Sequence, residues 1–264
     1  MTAARGRVTF LGTGTSHGVP MIGCECAVCR STDPRDRRLR PSVYVDVPGR
    51  AGILIDTSTD LRQQALAHHL TRVDAVLYTH GHADHIMGMD ELRRFNELRG
   101  GPIPAYATAP TWATITRSFH YAFDQAERKG GGVPKVERRE VAGPFAVEGV
   151  PIVPVPVWHG DDPILGYRIG DFAYLTDGSR IPDDSWDLLR GVRTLVVNAL
   201  RHRRHSTHFT VAEALEVIAR VGPARGLMTH MCHELGHAET SDTLPAGVEL
   251  AYDGLVVELE VYVA

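Results

Sequence analysis

Tyr78-Thr-His-Gly-His-Ala-Asp-His85 is the stretch on which the reading of this chain turns. It follows the apolar, strand-like run Ala-Val-Leu that starts at position 75, and it precedes Ile-Met-Gly. His80 and His82 stand two apart at a strand end, so both imidazoles can project to the same side. Asp84 and His85 come after the chain turns and can reach a second point a few ångströms away. Imidazole with carboxylate suits Zn, Mn or Fe, and two such points make a dinuclear site. The bland alternative, surface histidines in a polar turn, fits this density of ligand-type residues poorly.

Outward from that stretch, two further anomalies appear among the 264 residues. Nine of the 14 histidines cluster, at 80, 82 and 85, at 202, 205 and 208, and at 230, 233 and 237. Three of the four cysteines, Cys24, Cys26 and Cys29, share one short loop. Thiolates favour tetrahedral zinc, and three from one loop leave a fourth corner to be filled from elsewhere. His233, Cys232 and His237 are the candidates for it. A disulfide between Cys24 and Cys26 would be strained. The opening MTAARGRVTF has no apolar segment of a signal peptide, so the expectation is a cytoplasmic protein whose clustered cysteines hold metal.

Composition narrows the class. At 43% hydrophobic and 23% charged, the chain is neither disordered nor fibrous. No uncharged apolar stretch approaches the ~18 residues of a membrane span. A formal net charge of −4 argues against a dedicated nucleic-acid binder. Strand-like segments bounded by turn residues recur at 8–11, 43–47, 53–56, 75–79, 103–107, 172–176, 194–197, 226–229, 248–252 and 255–261. The clearest helix is 211–221, with a Thr210/Glu213 capping box and Gly222-Pro223 to end it. Segments 61–70, 90–98 and 111–123 read as further helices. The run at 150–158 is apolar but broken by prolines, and Lys129-Gly-Gly-Gly132 reads as a loop at a site mouth. The expectation is one mixed α/β domain over 1–264.

The H-x-H-x-D-H motif after a strand resembles that of the metallo-β-lactamase superfamily. The resemblance implies an αββα sandwich of α/β class, two mixed β-sheets flanked by helices, with a metal site at one sheet edge. It also implies three later ligands. His159 would join His80 and His82 on one metal, His230 would join Asp84 and His85 on the other, and Asp177 would bridge the two. Each is a polar residue released from an apolar strand. Asp56, in Leu54-Ile-Asp-Thr57, matches the superfamily's first Asp motif. It either orients a ligand histidine through its other ring nitrogen or caps the helix ahead of Leu61.

A narrower resemblance rests on Gly12-Thr-Gly-Thr-Ser-His-Gly-Val-Pro20, the C-x-C-x-x-C loop that follows it, and Leu244-Pro-Ala-Gly-Val-Glu-Leu-Ala-Tyr-Asp-Gly254. Together they look like the phosphoribosyl 1,2-cyclic phosphodiesterase branch, associated with phosphonate breakdown through carbon–phosphorus lyase. In that branch a histidine three residues beyond the last catalytic ligand closes a structural zinc site, which maps onto His233. The implied activity uses two divalent metals, Zn or Mn, and a metal-bridging hydroxide that opens a small cyclic phosphate such as 5-phosphoribosyl 1,2-cyclic phosphate. Asp84 would also steer that hydroxide. His208 would contact the phosphate and act as general acid, a role that suits a near-neutral imidazole. His205 and His17 are substrate-binding candidates, and the stretch 201–204 is either a second phosphate contact or a solvated basic loop. The alternatives are a ribonuclease Z-like endonuclease, for which no arm insertion is visible, and a lactone or thioester hydrolase. A non-enzymatic alternative is a zinc-stabilised binding protein like the pyrroloquinoline quinone biosynthesis branch. The expected partner is a small phosphorylated substrate, with no membrane and no nucleic acid; a homodimer is left open.

Overall fold

The computed structural model describes residues 2–124 and 132–263. Among the described residues fourteen strands run in chain order: β1 (Thr2–Gly12), β2 (Ser42–Val47), β3 (Ala51–Ile55), β4 (Ala75–Leu77), β5 (Ile103–Ala107), β6 (Val136–Glu140), β7 (Phe145–Val147), β8 (Val150–His159), β9 (Asp162–Ile169), β10 (Phe172–Leu175), β11 (Thr194–Asn198), β12 (Arg225–Thr229), β13 (Val248–Leu250) and β14 (Val256–Val263). They form two seven-stranded sheets, ordered β14-β1-β2-β3-β4-β5-β6 and β13-β12-β11-β10-β9-β8-β7. In the first, β14 to β3 pair antiparallel and β3 to β6 parallel. In the second, β7 to β10 pair antiparallel and β10 to β13 parallel.

Three apolar layers account for the architecture. Val8, Phe10, Val45 and Ile53 of one sheet meet Tyr167, Phe172, Val196 and Leu227 of the other, all buried. On the outer face of the first sheet, Leu54 and Val76 pack with Leu61 of α1 (Leu61–Ala67), and Ile103 packs near Leu92, Trp112 and Ile115. On the outer face of the second, Leu195, Val197 and Met228 pack with Ala214 and Ile218. This is the helix–sheet–sheet–helix sandwich of the metallo-β-lactamase fold, and each parallel half ends at the same rim.

Some local expectations need correction. The proline-broken run is a ten-residue strand, β8. Pro154 and Pro156 share one parity, and β7 reaches only to Ile152, so beyond that residue the edge they face needs no donor. The charged strand β6 carries no alternating pattern, since most of it is exposed. The segment 90–98 begins as a 3-10 turn, Met87–Glu91, and continues as a helix over Leu92–Arg99 that Gly100 ends with φ of 76°. The segment 111–123 is two helices, Ala109–Ser118 and His120–Phe123, parted at Phe119; Thr108 caps the first, so it starts earlier than its apolar pattern suggests. Of the glycine loop, Lys129, Gly130 and Gly131 lie outside the described residues. The helix Val211–Val221 has its Thr210/Glu213 box and its Gly222 stop as read.

Candidate metal centre

Strand ends from both sheets deliver the site. Asp56 follows β3, His80 and His82 follow β4, His159 closes β8, Asp177 follows β10, and His230 follows β12. Asp84 and His85 lie on the short helix Ala83–Ile86. Asp56, Asp177 and His230 all take left-handed backbone, with φ of 63°, 57° and 57°. Such a conformation in a non-glycine residue costs about 1–3 kcal/mol and persists only where its surroundings hold it. For Asp177 the holder is Asn198, whose amide accepts from Gly178 N–H at 2.6 Å and donates to Gly178 carbonyl at 3.0 Å.

The hydrogen bonds settle which nitrogen of each ring faces inward. Thr79 donates to Asp56 through its N–H and its hydroxyl, both at 2.8 Å. The Thr79 oxygen is then free to accept from His80 Nδ1, 3.0 Å away. His85 Nδ1 donates to Asp56 at 2.7 Å, and His159 Nδ1 donates to the carbonyl of Thr207 at 2.8 Å. In each of the three rings Nε2 is the nitrogen left facing the centre. His85 Nε2 lies 3.3 Å from an oxygen of Asp84 and 3.3 Å from one of Asp177. His230 Nε2 lies 3.4 Å from Asp84 and 3.3 Å from Asp177. The buried Nε2 atoms of His80 and His85 have no hydrogen-bond partner.

Bare acceptors facing carboxylates across a buried space fit cations. His80, His82, His159 and Asp177 bring one ligand atom each to within 4.8 Å of one another, and so do Asp84, His85, Asp177 and His230. Asp177 belongs to both groups. Burial raises the pKa of Asp84 and Asp177, but the imidazoles around them outweigh it and hold both carboxylates below the usual range. Burial likewise opposes the charged form of His85, and its three carboxylate neighbours override that and raise it. His80 is lowered, first by burial and then by His85. Asp56 is fully buried and bonded to Thr79 and His85; it braces a ring and caps no helix.

His208 leans over this centre, its ring 4.7 Å from His159 and 4.9 Å from His230, with Nδ1 3.9 Å from Asp177. Burial, then His230, push it down to about 3, below the near-neutral value the sequence suggests. A phosphate beside it would bring the negative charge that raises it again. The His205 ring is 5.0 Å from His208, and its Nδ1 accepts from Thr207 N–H at 3.3 Å. His17 is exposed, on the loop where Thr15 N–H donates to the Met231 carbonyl beside His230. Arg201 and Arg203 both pair with Glu234, at 3.4 and 2.7 Å, so their charge is already engaged.

Cys24, Cys26, Cys29 and His233 form a third group, again with ligand atoms within 4.8 Å. His233 Nδ1 is 3.2 Å from Cys24 Sγ and 3.4 Å from Cys26 Sγ. The N–H of Cys29 on its sulfur is the main influence holding Cys26 down to about 6, while burial pushes Cys29 up to about 11. Cys232 stands outside the group and accepts from Glu234 N–H. His237 packs on Tyr252 instead.

Sequence reasoning did not find Thr79, Asn198 or Thr207. The first two are polar residues at the ends of apolar strands, as Asp177 and His230 are, but no family motif singles them out. Thr207 acts through its backbone, which no side-chain pattern reveals.

Residues 52–231 match the Beta-lactamase superfamily domain, and the chain belongs to that family. Its two-sheet sandwich is the metallo-β-lactamase fold. Within the superfamily it falls in the PhnP-like branch. A solved structure described as a new diphosphatase from the PhnP family shares 45% identity with it, with a TM-score of 0.92 over 98% of this chain and 99% of that one. An octanoyltransferase of Porphyromonas gingivalis is 38% identical over 251 residues, 94% of this chain and 51% of that protein. Coenzyme PQQ synthesis protein B of Methylorubrum extorquens is 30% identical over 196 residues, 66% of this chain and 60% of that protein. The chain thus spans about half to three-fifths of the length of these curated relatives. Among the described residues no helix is long and apolar enough to cross a membrane.

Proposed function

We propose that the chain is a two-metal phosphodiesterase acting on a small cyclic phosphate such as 5-phosphoribosyl 1,2-cyclic phosphate. The observation that carries this reading is Asp177, one buried carboxylate shared by two four-residue ligand groups, with His208 beside it. His80, His82, His159 and Asp177 would hold one ion, and Asp84, His85, His230 and Asp177 the other. Bound there, two divalent ions, Zn or Mn, supply an ionised water at neutral pH and neutralise charge gathering on phosphoryl oxygens.

The chain's own residues do the rest. Asp56 and the Thr207 carbonyl fix the tautomers of His85 and His159, so that both rings offer Nε2. Asp84 faces the same space and can orient the attacking oxygen. His208 contacts the phosphate, is raised by its charge, and delivers a proton to the leaving oxygen. His205 and His17 line the approach. Cys24, Cys26, Cys29 and His233 would hold a structural zinc.

A second reading is hydrolysis of a small diphosphate. The 45% identity to a PhnP-family diphosphatase over nearly the whole of both chains favours it, and the same residues would serve a P–O–P bond.

A hydrolysis panel with Zn, Mn or Ni added separates the readings. It compares cyclic ribose phosphates, 2′,3′-cyclic nucleotides, linear phosphodiesters, small diphosphates, lactones and pre-tRNA. The first reading expects the cyclic ribose phosphate to have the highest kcat/KM. A small diphosphate in that place supports the second. Preference for a lactone or for pre-tRNA overturns both.

A further inference from the structure

Asp253 sits in the turn ahead of β14, away from the ligand groups, yet it is tied to the centre by a short chain of hydrogen bonds. Its Oδ1 accepts from Thr13 N–H at 2.9 Å and from Thr13 hydroxyl at 2.7 Å; its Oδ2 accepts from Leu39 N–H at 2.7 Å. The Thr13 carbonyl accepts from Met231 N–H at 3.0 Å, and Thr15 N–H donates back to the Met231 carbonyl at 3.1 Å. Met231 directly follows His230, the residue with φ of 57°. On the other side of His230, Ala199 N–H holds the Thr229 carbonyl at 2.8 Å. The left-handed residue is thus pinned from both flanks, and the Met231 flank depends on where Thr13 lies.

We infer that Asp253 is a positioning residue for the metal centre, fixing the backbone beyond His230 through Thr13 and Met231. The inference rests on the two-metal reading above. A carboxylate is required because two backbone N–H groups, which can only donate, meet its two oxygens. The isosteric amide turns its NH2 onto one of them in either orientation. Burial pushes the Asp253 carboxyl up to about 7, against these donors and the Arg38 guanidinium, so the fold retains a carboxylate where it is hard to ionise.

The test is metal affinity at the His/Asp centre, measured by chelator competition for Zn on the full chain, with the cysteine site as internal control. Asp253→Asn is expected to weaken Zn at the group containing His230 tenfold or more and to lower kcat with KM little changed, while one zinc stays on the cysteines. Thr13→Val, which removes one of the three bonds, should move the same way by less and guards against an Asp253 variant that fails to fold. Val45→Ala, in the core between the sheets, supplies a matched loss of Tm. The inference is overturned if both relay variants bind Zn within threefold of the parent, or if Val45→Ala loosens it equally. A parent protein that takes up no metal at the His/Asp centre sinks the functional reading, and this one with it.

Discussion

His233 lies three positions beyond His230, yet the two clusters they belong to are built by different means. The His/Asp centre draws on strand ends of both sheets. Its ligand-type residues other than His82 are buried, and three of its rings are fixed by hydrogen bonds to Asp56, Thr79 and Thr207. The cysteine cluster lies on loops, with Cys24, Cys26 and His233 only half-buried and few bonds beyond those among its own donors. The first cluster is held by strand ends of both sheets and by the hydrogen bonds on its rings. In the second, an ion would make the loop. On the function proposed above, one serves chemistry and the other holds chain, and substitutions should separate them along that line.

The largest effect is expected at the shared carboxylate. Asp177→Asn should cut kcat/KM on the best substrate on the order of 10³-fold and strip the His/Asp centre of metal, while one zinc per chain remains. Steady-state kinetics beside metal analysis reads both; loss of the cysteine-site zinc as well would break the comparison. Cys26→Ser should do the reverse. It removes one of the four proposed zinc ligands from a loop with little else to hold it, so Tm should fall by roughly 10 °C, with kcat/KM changed less than in Asp177→Asn. Asp56→Asn tests the buried support: ~10- to 100-fold weaker metal binding at the centre is the expected outcome, and chelator titration reads it.

The cysteine side also carries a pH signature. Cys29 holds its proton up to about 11, whereas Cys26 has released its own by about 6. Zinc uptake must therefore displace at least the Cys29 proton across neutral pH. Affinity at this site should rise with pH, by about tenfold per unit for each proton displaced. Isothermal titration between pH 6.5 and 8.5 in buffers of different ionisation enthalpy measures the protons released, and a flat profile would contradict the assignment.

How much of this was legible in the sequence depends on what a side chain can signal. Polar residues ending apolar strands stand out in one dimension, but it is the resemblance carried by the Tyr78–His85 stretch that singles out Asp177 and His230 among them. The narrower motif pointed to His233 over Cys232, and the structure groups His233 with the thiols. What stayed hidden acts through backbone or across long separations. Thr207 works by its carbonyl, and Asp253 reaches Thr13 from the other end of the chain. The β8 strand was obscured because Pro154 and Pro156 face an edge where pairing with β7 has already ended, at Ile152, a fact of pairing and not of composition.

The smallest expected effect lies at the bridge between the two clusters. Arg203 meets Glu234 at 2.7 Å and Arg201 meets it at 3.4 Å, joining the loop of His205 and His208 to the segment of His233. Arg203 is 68% exposed and Glu234 33%, so water and salt screen the pair, and an exposed ion pair contributes about 0–1 kcal/mol. Glu234→Gln should then shift Tm by no more than roughly 2–4 °C and leave kcat/KM within a few-fold of the parent. The difference should shrink as salt is raised. A much larger loss of kcat, with both metal sites still filled, would mean that the clamp places His208. The two clusters would then be a single device joined at Glu234, and the division of labour argued from their construction would have to be withdrawn.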